Sequence, residues 1–278
     1  GQMAERRLLF HMAAPMMISM VGQALYNVVD TFFVSHIPDS QGIVDYGEKA
    51  VNALTLAYPI QILMIAVGVG TGVGINAVLA RRLGQKDRKG ASETAGNALL
   101  VALVYCLAFF FFGLLGAPAF IASQTGNGEI AGLALLYLRI VTLFSFGSLM
   151  YMAIEKIIMA TGHTVVTMTA QLAGALTNCL LDPILIYGYF GIPAMGVAGA
   201  AWATVAGQFL SLFIAGHYYF HEIRELDHGF SYLKPGGPAL SSIYAIGFPA
   251  IVMQLLTPVM SYGMNIILGG LSVSAVTA

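Results

Sequence analysis

The chain carries little charge for its length. Only 9% of its 278 residues are Asp, Glu, Lys or Arg, whereas 58% are hydrophobic. Ordinary soluble domains carry about 25% charged residues, so this chain is too apolar to cover a water-facing surface of normal polarity. The composition therefore predicts an integral membrane protein whose surroundings are a lipid bilayer, with no nucleic acid as partner.

Motifs typical of enzymes or of disulfide-bonded proteins are missing. Cys106 and Cys179 both lie inside apolar stretches, where cysteine is more typical of a small core residue than of a disulfide or metal pair. There is no P-loop, His-Glu-x-x-His or Gly-x-Ser-x-Gly motif. Transport by this chain would therefore use an ion gradient, and we expect no cofactor beyond H⁺ or Na⁺ as the coupling ion.

Long apolar runs, in contrast, are abundant. Seven can be bounded as predicted membrane-spanning helices, at residues 8–35, 51–80, 97–117, 133–158, 165–189, 197–220 and 242–268. No small-residue cleavage site follows the basic N-terminus, so the first run should stay in the membrane. The predicted fold class is all-α, a polytopic membrane helix bundle.

The charges of the connections predict the orientation. The second connection holds five basic residues between positions 81 and 89, whereas the first, 36–50, is mainly acidic. Basic residues recur at the N-terminus and in every second connection, which by the positive-inside rule face the cytoplasm. We therefore expect a multi-pass protein of the cell inner (plasma) membrane with a cytoplasmic N-terminus.

A weak internal repeat predicts the domain organisation. Residues 9–27 and 243–261 share an apolar profile in which Pro15 aligns with Pro249. We therefore expect a six-helix lobe at 1–222, a cytoplasmic linker at 223–241, and the first helix of a second lobe at 242–278.

Asp30 is the first candidate functional residue. It lies near the outer end of the first apolar run with no neighbouring charge, and a carboxylate at bilayer depth costs about 3 kcal/mol. Tyr26, four residues earlier, shares its helix face, and Asn27 flanks that face. Such an acid usually serves ion or proton traffic.

A second group lies on the fifth run. Asn178 and Asp182 are four residues apart and share a face. Under the predicted topology, Asp30 lies about 9 Å inside the outer end of its helix, and Asp182 and Thr204 each lie about 10 Å inside theirs. Tyr137 falls just above this layer. Two acids, an amide and a hydroxyl could therefore meet there.

This set of side chains suits two kinds of chemistry. Na⁺ prefers several oxygen ligands, which Asp30, Asn178, Asp182 and Thr204 could supply with a backbone carbonyl. Alternatively, two adjacent carboxylates do not easily stay ionised together, so one could accept a proton. A purely structural role, in which each acid bonds to a neighbouring helix, is the third interpretation.

Other polar or flexible residues are weaker candidates. Arg139 could extend to the interface or contact an acid. Glu155 and Lys156 read as a solvated helix end at the cytoplasmic side, with a gating role as the alternative. Four methionines could line an adaptable apolar cavity, namely Met16, Met17, Met20 and Met253.

Four motifs together resemble the multidrug and toxic compound extrusion (MATE) family. They are QALYNVVDT (23–31) after Pro15, ARRLGQKD (80–87), ATGHT (160–164) and NCLLDP (178–183). The resemblance covers essentially the whole chain. It implies two six-helix lobes around a central cleft, of which this chain holds the first lobe and the start of the second.

The resemblance also implies an activity and a site. Family members export amphipathic, often cationic compounds by antiport against H⁺ or Na⁺. The cation-binding positions would be Asp30, Asn178, Asp182 and Thr204, with Tyr26 and Tyr137 nearby. We expect the full-length protein to act as a monomeric secondary transporter and not as an enzyme.

Two other functions remain open from the sequence. A flippase for lipid-linked saccharides would need basic residues in its cleft, and Arg139 is the only arginine within a predicted span of this lobe. An intramembrane aspartyl enzyme would use Asp30 and Asp182 as a catalytic pair beside a path for a peptide.

Overall fold

The computed structural model describes residues 5–39, 43–223, 225–227, 229, 232 and 235–271. Of the helical residues 5–12, 257–259 and 261–271 only the backbone is described. The α-helices are α1 (Glu5–Ser35), α2 (Tyr46–Gly84), α3 (Arg88–Phe111), α4 (Ala117–Gln124), α5 (Gly128–Leu143), α6 (Phe146–Ala160), α7 (Thr164–Tyr187), α8 (Val197–His221) and α9 (Gly237–Leu271). The predicted all-α bundle is confirmed.

Local sequence signals explain where several helices begin and end. The side chain of Asn127 accepts from the backbone N–H groups of Glu129 and Ile130 and caps α5. Asp87 caps α3 by accepting from the backbone N–H of Gly90 at 2.9 Å. Gly188 ends α7 with φ +80, a left-handed conformation that glycine adopts without strain.

Two predicted spans differ from the structure. α2 has 39 residues and starts at Tyr46, five residues before the predicted run, because the acidic connection contributes its first turn. The predicted run 133–158 is two helices, α5 and α6, which meet at Phe144 and Ser145 with a bend of 45°. The sequence has no proline at this break and stays apolar across it, so hydropathy alone predicts one continuous helix.

The described helices include six that are long and apolar enough to cross a bilayer, or seven if the bent pair α5 and α6 counts as one. α3 continues through a π-helical turn at Phe112–Gly116 into α4 and forms one of these spans.

α9 begins at Gly237, inside the predicted linker 223–241, and residues 272–278 of the predicted second lobe lie outside the described residues. The division into lobes stays a prediction.

The packing brings α1, α7 and α8 side by side. α7 packs closely on α8, because Gly174 and Gly207 face each other: a Cβ added to Gly207 would lie 2.5 Å from the carbonyl oxygen of Gly174. α1 packs mainly on α7, so its other face is largely exposed within this chain. α9 packs on α2. This arrangement places the acids of α1 and α7 on neighbouring helices.

Candidate functional site

The two predicted acids lie in one cluster at the interface of α1 and α7. Asp182 is fully buried and Asp30 is partly buried. Hydrogen bonds from Gln171 to Gln23 and from the Tyr187 hydroxyl to the Phe33 carbonyl set the register of the two helices and place both acids at a similar level of this interface. The packing of α1 on α7 thus brings residues that are 152 positions apart in the sequence to one interface, and a shared cation site there stays a prediction.

Asn178 connects Asp182 to α8. With its amide nitrogen turned towards the acid, Asn178 donates to Oδ2 of Asp182 at 3.2 Å. Its oxygen then accepts from the backbone N–H of Thr204 at 3.0 Å and from the Thr204 hydroxyl at 3.2 Å. This amide orientation gives every partner a matching donor or acceptor. The three residues therefore form one hydrogen-bonded chain across α7 and α8.

Two tyrosines complete the cluster. Tyr26 lies one turn before Asp30 on the same face of α1, and Tyr137 lies on α5. Tyr137 is buried and accepts a 2.9 Å hydrogen bond from Nε2 of Gln61 on α2. Gln61 was not predicted, because a lone glutamine in an apolar run gives no distinguishing signal. Asn27 is exposed and lies outside the cluster, and its predicted supporting role stays a prediction.

The oxygen atoms of the cluster fit a small hard cation or a proton. Oδ1 of Asp30 and Oδ1 of Asp182 are each buried without a hydrogen-bond partner among the described residues. Pro183 has no N–H, so the helix leaves the carbonyl oxygen of Cys179 without its usual donor. The described residues contain no group of three or more His, Cys, Asp or Glu that could hold a metal ion. Na⁺ would therefore depend on the mixed carboxylate, amide, hydroxyl and carbonyl oxygens predicted from the sequence.

A cavity of about 400 Å³ opens beside this cluster. Tyr26, Asn178 and Thr204 line one end of it, and Thr167 and Lys156 line the other. From Asn178 back to Thr167 the cavity follows α7 for about 16 Å at 1.5 Å per residue. Helices α1, α2, α6, α7 and α8 contribute to its wall, and α9 contributes Gln254. The volume lies in the range of about 300–1,000 Å³ that is typical of small-molecule sites.

Glu155 and Lys156 line the end of the cavity away from the acids. Nζ of Lys156 lies 3.3 Å from Oε2 of Glu155, and both side chains are largely buried. The interpretation as a solvated helix end is therefore wrong. Two adjacent opposite charges shortly before a Thr-Gly turn are typical of an exposed helix terminus. The local sequence gives no sign that α2 packs on Lys156 at Gly72.

The predicted methionine lining holds in part. Met16 and Met20 line the cavity, together with Met152 and Met159, which were not predicted. Met17 and Met253 are exposed instead, at 65% and 70% of their surface. Arg139 is exposed, in keeping with a side chain that extends to the interface.

An apolar helix bundle with one buried and one partly buried acid beside an open cavity is typical of a polytopic membrane protein of the transporter type. Residues 15–184 match the family model MatE. This match covers more than half of the chain and includes the site residues on α1, α5 and α7. The chain belongs to the MatE family.

Curated relatives include multidrug export proteins. The chain is 23% identical to the multidrug export protein MepA of Staphylococcus saprophyticus over 262 residues, which is 94% of this chain and 55% of that protein. It is 24% identical to MepA of Staphylococcus aureus strain NCTC 8325 over 250 residues, 90% of this chain and 53% of that protein. The chain thus spans about half the length of the relatives that it matches.

Solved structures of similar fold are transporters. A MOP superfamily transporter from Pyrococcus furiosus superposes with a TM-score of 0.82 and 28% identity, over 97% of this chain and 57% of that chain. A multidrug resistance MATE family transporter of the MOP superfamily in an outward-facing conformation gives a TM-score of 0.80 and 27% identity, over 94% and 54%. The fold described above is therefore that of known transporters.

Proposed function

We propose that this chain is the cation-coupling part of an antiporter that exports small amphipathic or cationic molecules across the cell inner membrane. The coupling ion is H⁺ or Na⁺, bound where Asp30 of α1 meets Asp182 of α7. In this proposal the N-terminus is cytoplasmic, and the full-length protein acts as a monomer. The observation that carries it is the placement of two acids at a similar level of the α1–α7 interface, each with one buried oxygen that has no hydrogen-bond partner among the described residues.

A partnerless carboxylate oxygen inside a membrane protein is costly, because the low-dielectric surroundings do not replace its lost hydration. One cation placed between the two acids offsets this cost for both at once. When the ion leaves, the two negative charges repel each other and the helices that carry them. Ion binding can therefore shift the packing of α1 against α7, provided that the two arrangements bind the ion with different affinity.

Antiport also needs a binding place for the exported molecule, and in this proposal the cavity is that place. Tyr26, Asn178 and Thr204 belong both to the acid cluster and to the cavity wall. A change in the cluster therefore reaches the surface that an exported molecule would contact. The named relatives, which are multidrug export proteins, support small molecules as the transported class.

The structure offers less support for the flippase. A lipid-linked phosphate would need several free basic groups, whereas Lys156 is the one basic residue on the described lining and it is paired with Glu155. The relatives and similar structures are exporters and transporters, which favours transport over an aspartyl enzyme.

The proposal predicts that Asp30→Asn in the complete protein abolishes drug resistance in cells, because the amide is neutral and the acid pair loses its shared cation. Resistance is measured as the drug concentration that halts growth, and membrane expression is measured by immunoblot. Asp45→Asn is the matched control. It makes the same change at an exposed position with φ 55, which asparagine tolerates, and should leave resistance intact. Normal resistance in Asp30→Asn at normal expression would contradict the proposal.

A further inference from the structure

The cavity wall holds one positive and one negative group. Among the described residues that line it, Glu155 and Lys156 are the only Asp, Glu, Lys or Arg. The rest of the lining is neutral and mixed, with amides and hydroxyls such as Gln171 and Ser211 beside apolar groups such as Met20 and Ile65. The cavity therefore has no net charge but a fixed pair of charges at one end.

Contacts from α2 hold Lys156 of this pair in place. A Cβ added to Gly72 would lie 2.6 Å from Cγ of Lys156, so the lysine stem packs directly on the α2 backbone. Asn76 donates to the backbone carbonyl of Lys156 at 3.2 Å, and Nζ of Lys156 also lies 3.6 Å from Sδ of Met159. Tyr151, one turn before Glu155, faces the same cavity. The two charges are thus built into the wall.

Such a pair discriminates between ligands by their charge. A singly charged ligand that pairs with one member leaves the other member's charge uncompensated in a poorly hydrated site, which is costly. A ligand with both an ammonium and an acid group can pair with both members at once and leave neither uncompensated. The 3.3 Å separation of the pair suits ligand charges that lie close together, as in an amino acid.

The same wall offers a further polar contact. Oε1 of Gln208 is buried without a hydrogen-bond partner among the described residues, and Gln208 lines the cavity. An N–H or O–H of a bound molecule would satisfy it. Met16 and Met20 can adapt to an apolar body of varied shape.

We propose that this cavity binds zwitterionic amphiphiles, with the ligand ammonium at Glu155 and its acid group at Lys156. The substrate class is a small molecule with an apolar body and one charge of each sign on neighbouring carbons. This inference rests on the proposed function only for the statement that the bound molecule is then exported.

The test measures binding of three fluorescent probes with one apolar body to the purified chain in lipid nanodiscs at neutral pH. Naphthylalanine is zwitterionic, naphthylethylamine is a cation and naphthylpropionate is an anion. The wild-type chain should bind naphthylalanine about tenfold more tightly than either singly charged probe, after subtraction of binding to empty nanodiscs. Equal affinity for all three probes, or no binding of any of them, would overturn the proposal.

Charge-removing variants make the test specific to the pair. Lys156→Met keeps an unbranched stem against Gly72 and should shift the preference by about tenfold towards the cation. Glu155→Gln should shift it by about tenfold towards the anion. Lys49→Met is the matched control, because it removes a lysine from an ion pair outside the cavity, the one with Glu129, and should leave all three affinities unchanged. Unchanged preferences in both cavity variants would refute the inference.

The result is independent of the coupling proposal. A charge preference that follows Glu155 and Lys156 supports the zwitterion site even if Asp30→Asn has no effect on resistance. Loss of resistance in Asp30→Asn together with equal affinity for the three probes would overturn only the substrate class. Circular dichroism and size-exclusion profiles show whether each variant keeps the fold of the wild-type chain.

Discussion

Thr204 bonds to the acid cluster through its hydroxyl and its backbone N–H, and it also lines the cavity. The hydroxyl donates to Asn178, whose amide in turn donates to Asp182, so the three side chains act as one unit. A hydroxyl oxygen is also one of the ligands that Na⁺ would need, whereas a proton binds to one carboxylate and needs no ligand shell. Changes at Thr204 therefore distinguish the two coupling ions.

Thr204→Val should raise the Na⁺ concentration for half-maximal efflux about tenfold, because a hydrogen bond of about 1 kcal/mol and an oxygen ligand are lost together. Efflux is measured in proteoliposomes containing the complete protein, with Na⁺ as the only gradient. Thr204→Ser keeps the hydroxyl and should stay near the wild-type value. An equal defect in the two variants would show that the hydroxyl has no part in ion binding.

The site residues were predictable where the chemistry is unusual. An unpaired acid in an apolar run is rare, so Asp30 and Asp182 stand out, and their similar depth predicted the layer in which they meet. Gln61 and the burial of the Glu155–Lys156 pair were not predictable, although the pair itself was a candidate for a gating role. Their position depends on how α2 packs across α5 and α6, and such long-range packing leaves no periodic signal in the sequence.

At the scale of helices, the close contact of α7 and α8 positions Asn178 against Thr204. The contact depends on Gly174 and Gly207, where a side chain would collide with the backbone of the facing helix. On α8, Gly199, Ala203 and Gly207 recur at every fourth position, a spacing of small residues that is typical of such a contact.

Gly207→Ala should lower the stability of the chain by about 1–3 kcal/mol, because the added methyl group would lie 2.5 Å from the Gly174 carbonyl oxygen and force the helices apart. The measurement is the thermal unfolding midpoint in detergent. Gly216→Ala is the control on the same helix, where no atom lies within 4 Å of the added Cβ. It should leave the midpoint unchanged or slightly raise it. Equal midpoints for Gly207→Ala and the wild-type chain would contradict this account of the contact.

The bend between α5 and α6 shows the limit of hydropathy at this scale. Residues 133–158 form one continuous apolar run, yet the helix breaks at Phe144 and Ser145. The ring of Phe144 packs on Trp202 of α8 at 4.8 Å between centroids, and Gly147 is in contact with Phe209. Tertiary contacts with α8 thus accompany a break that neither proline nor a polar residue run announces.

For the whole molecule, the number of apolar helices and their all-α class followed from composition and run length. The packing of α9 against α2 and α3 did not follow from either property. It packs on α2 through Gly70 and Gly74, and the hydroxyl of Tyr105 on α3 lies 2.7 Å from that of Tyr244 on α9. Through Gln254, α9 therefore contributes to the wall of the same cavity as α1, α2, α6, α7 and α8.

The central claim is that Asp30 and Asp182 share one cation. Infrared difference spectroscopy of the purified chain in lipid, between low and high pH, reports directly on protonated carboxyl groups. A shared site predicts one coupled buried-carboxyl signal that Na⁺ suppresses and that either Asp30→Asn or Asp182→Asn alters as a whole. Two independent signals, each lost only with its own aspartate and both insensitive to Na⁺, would contradict the claim.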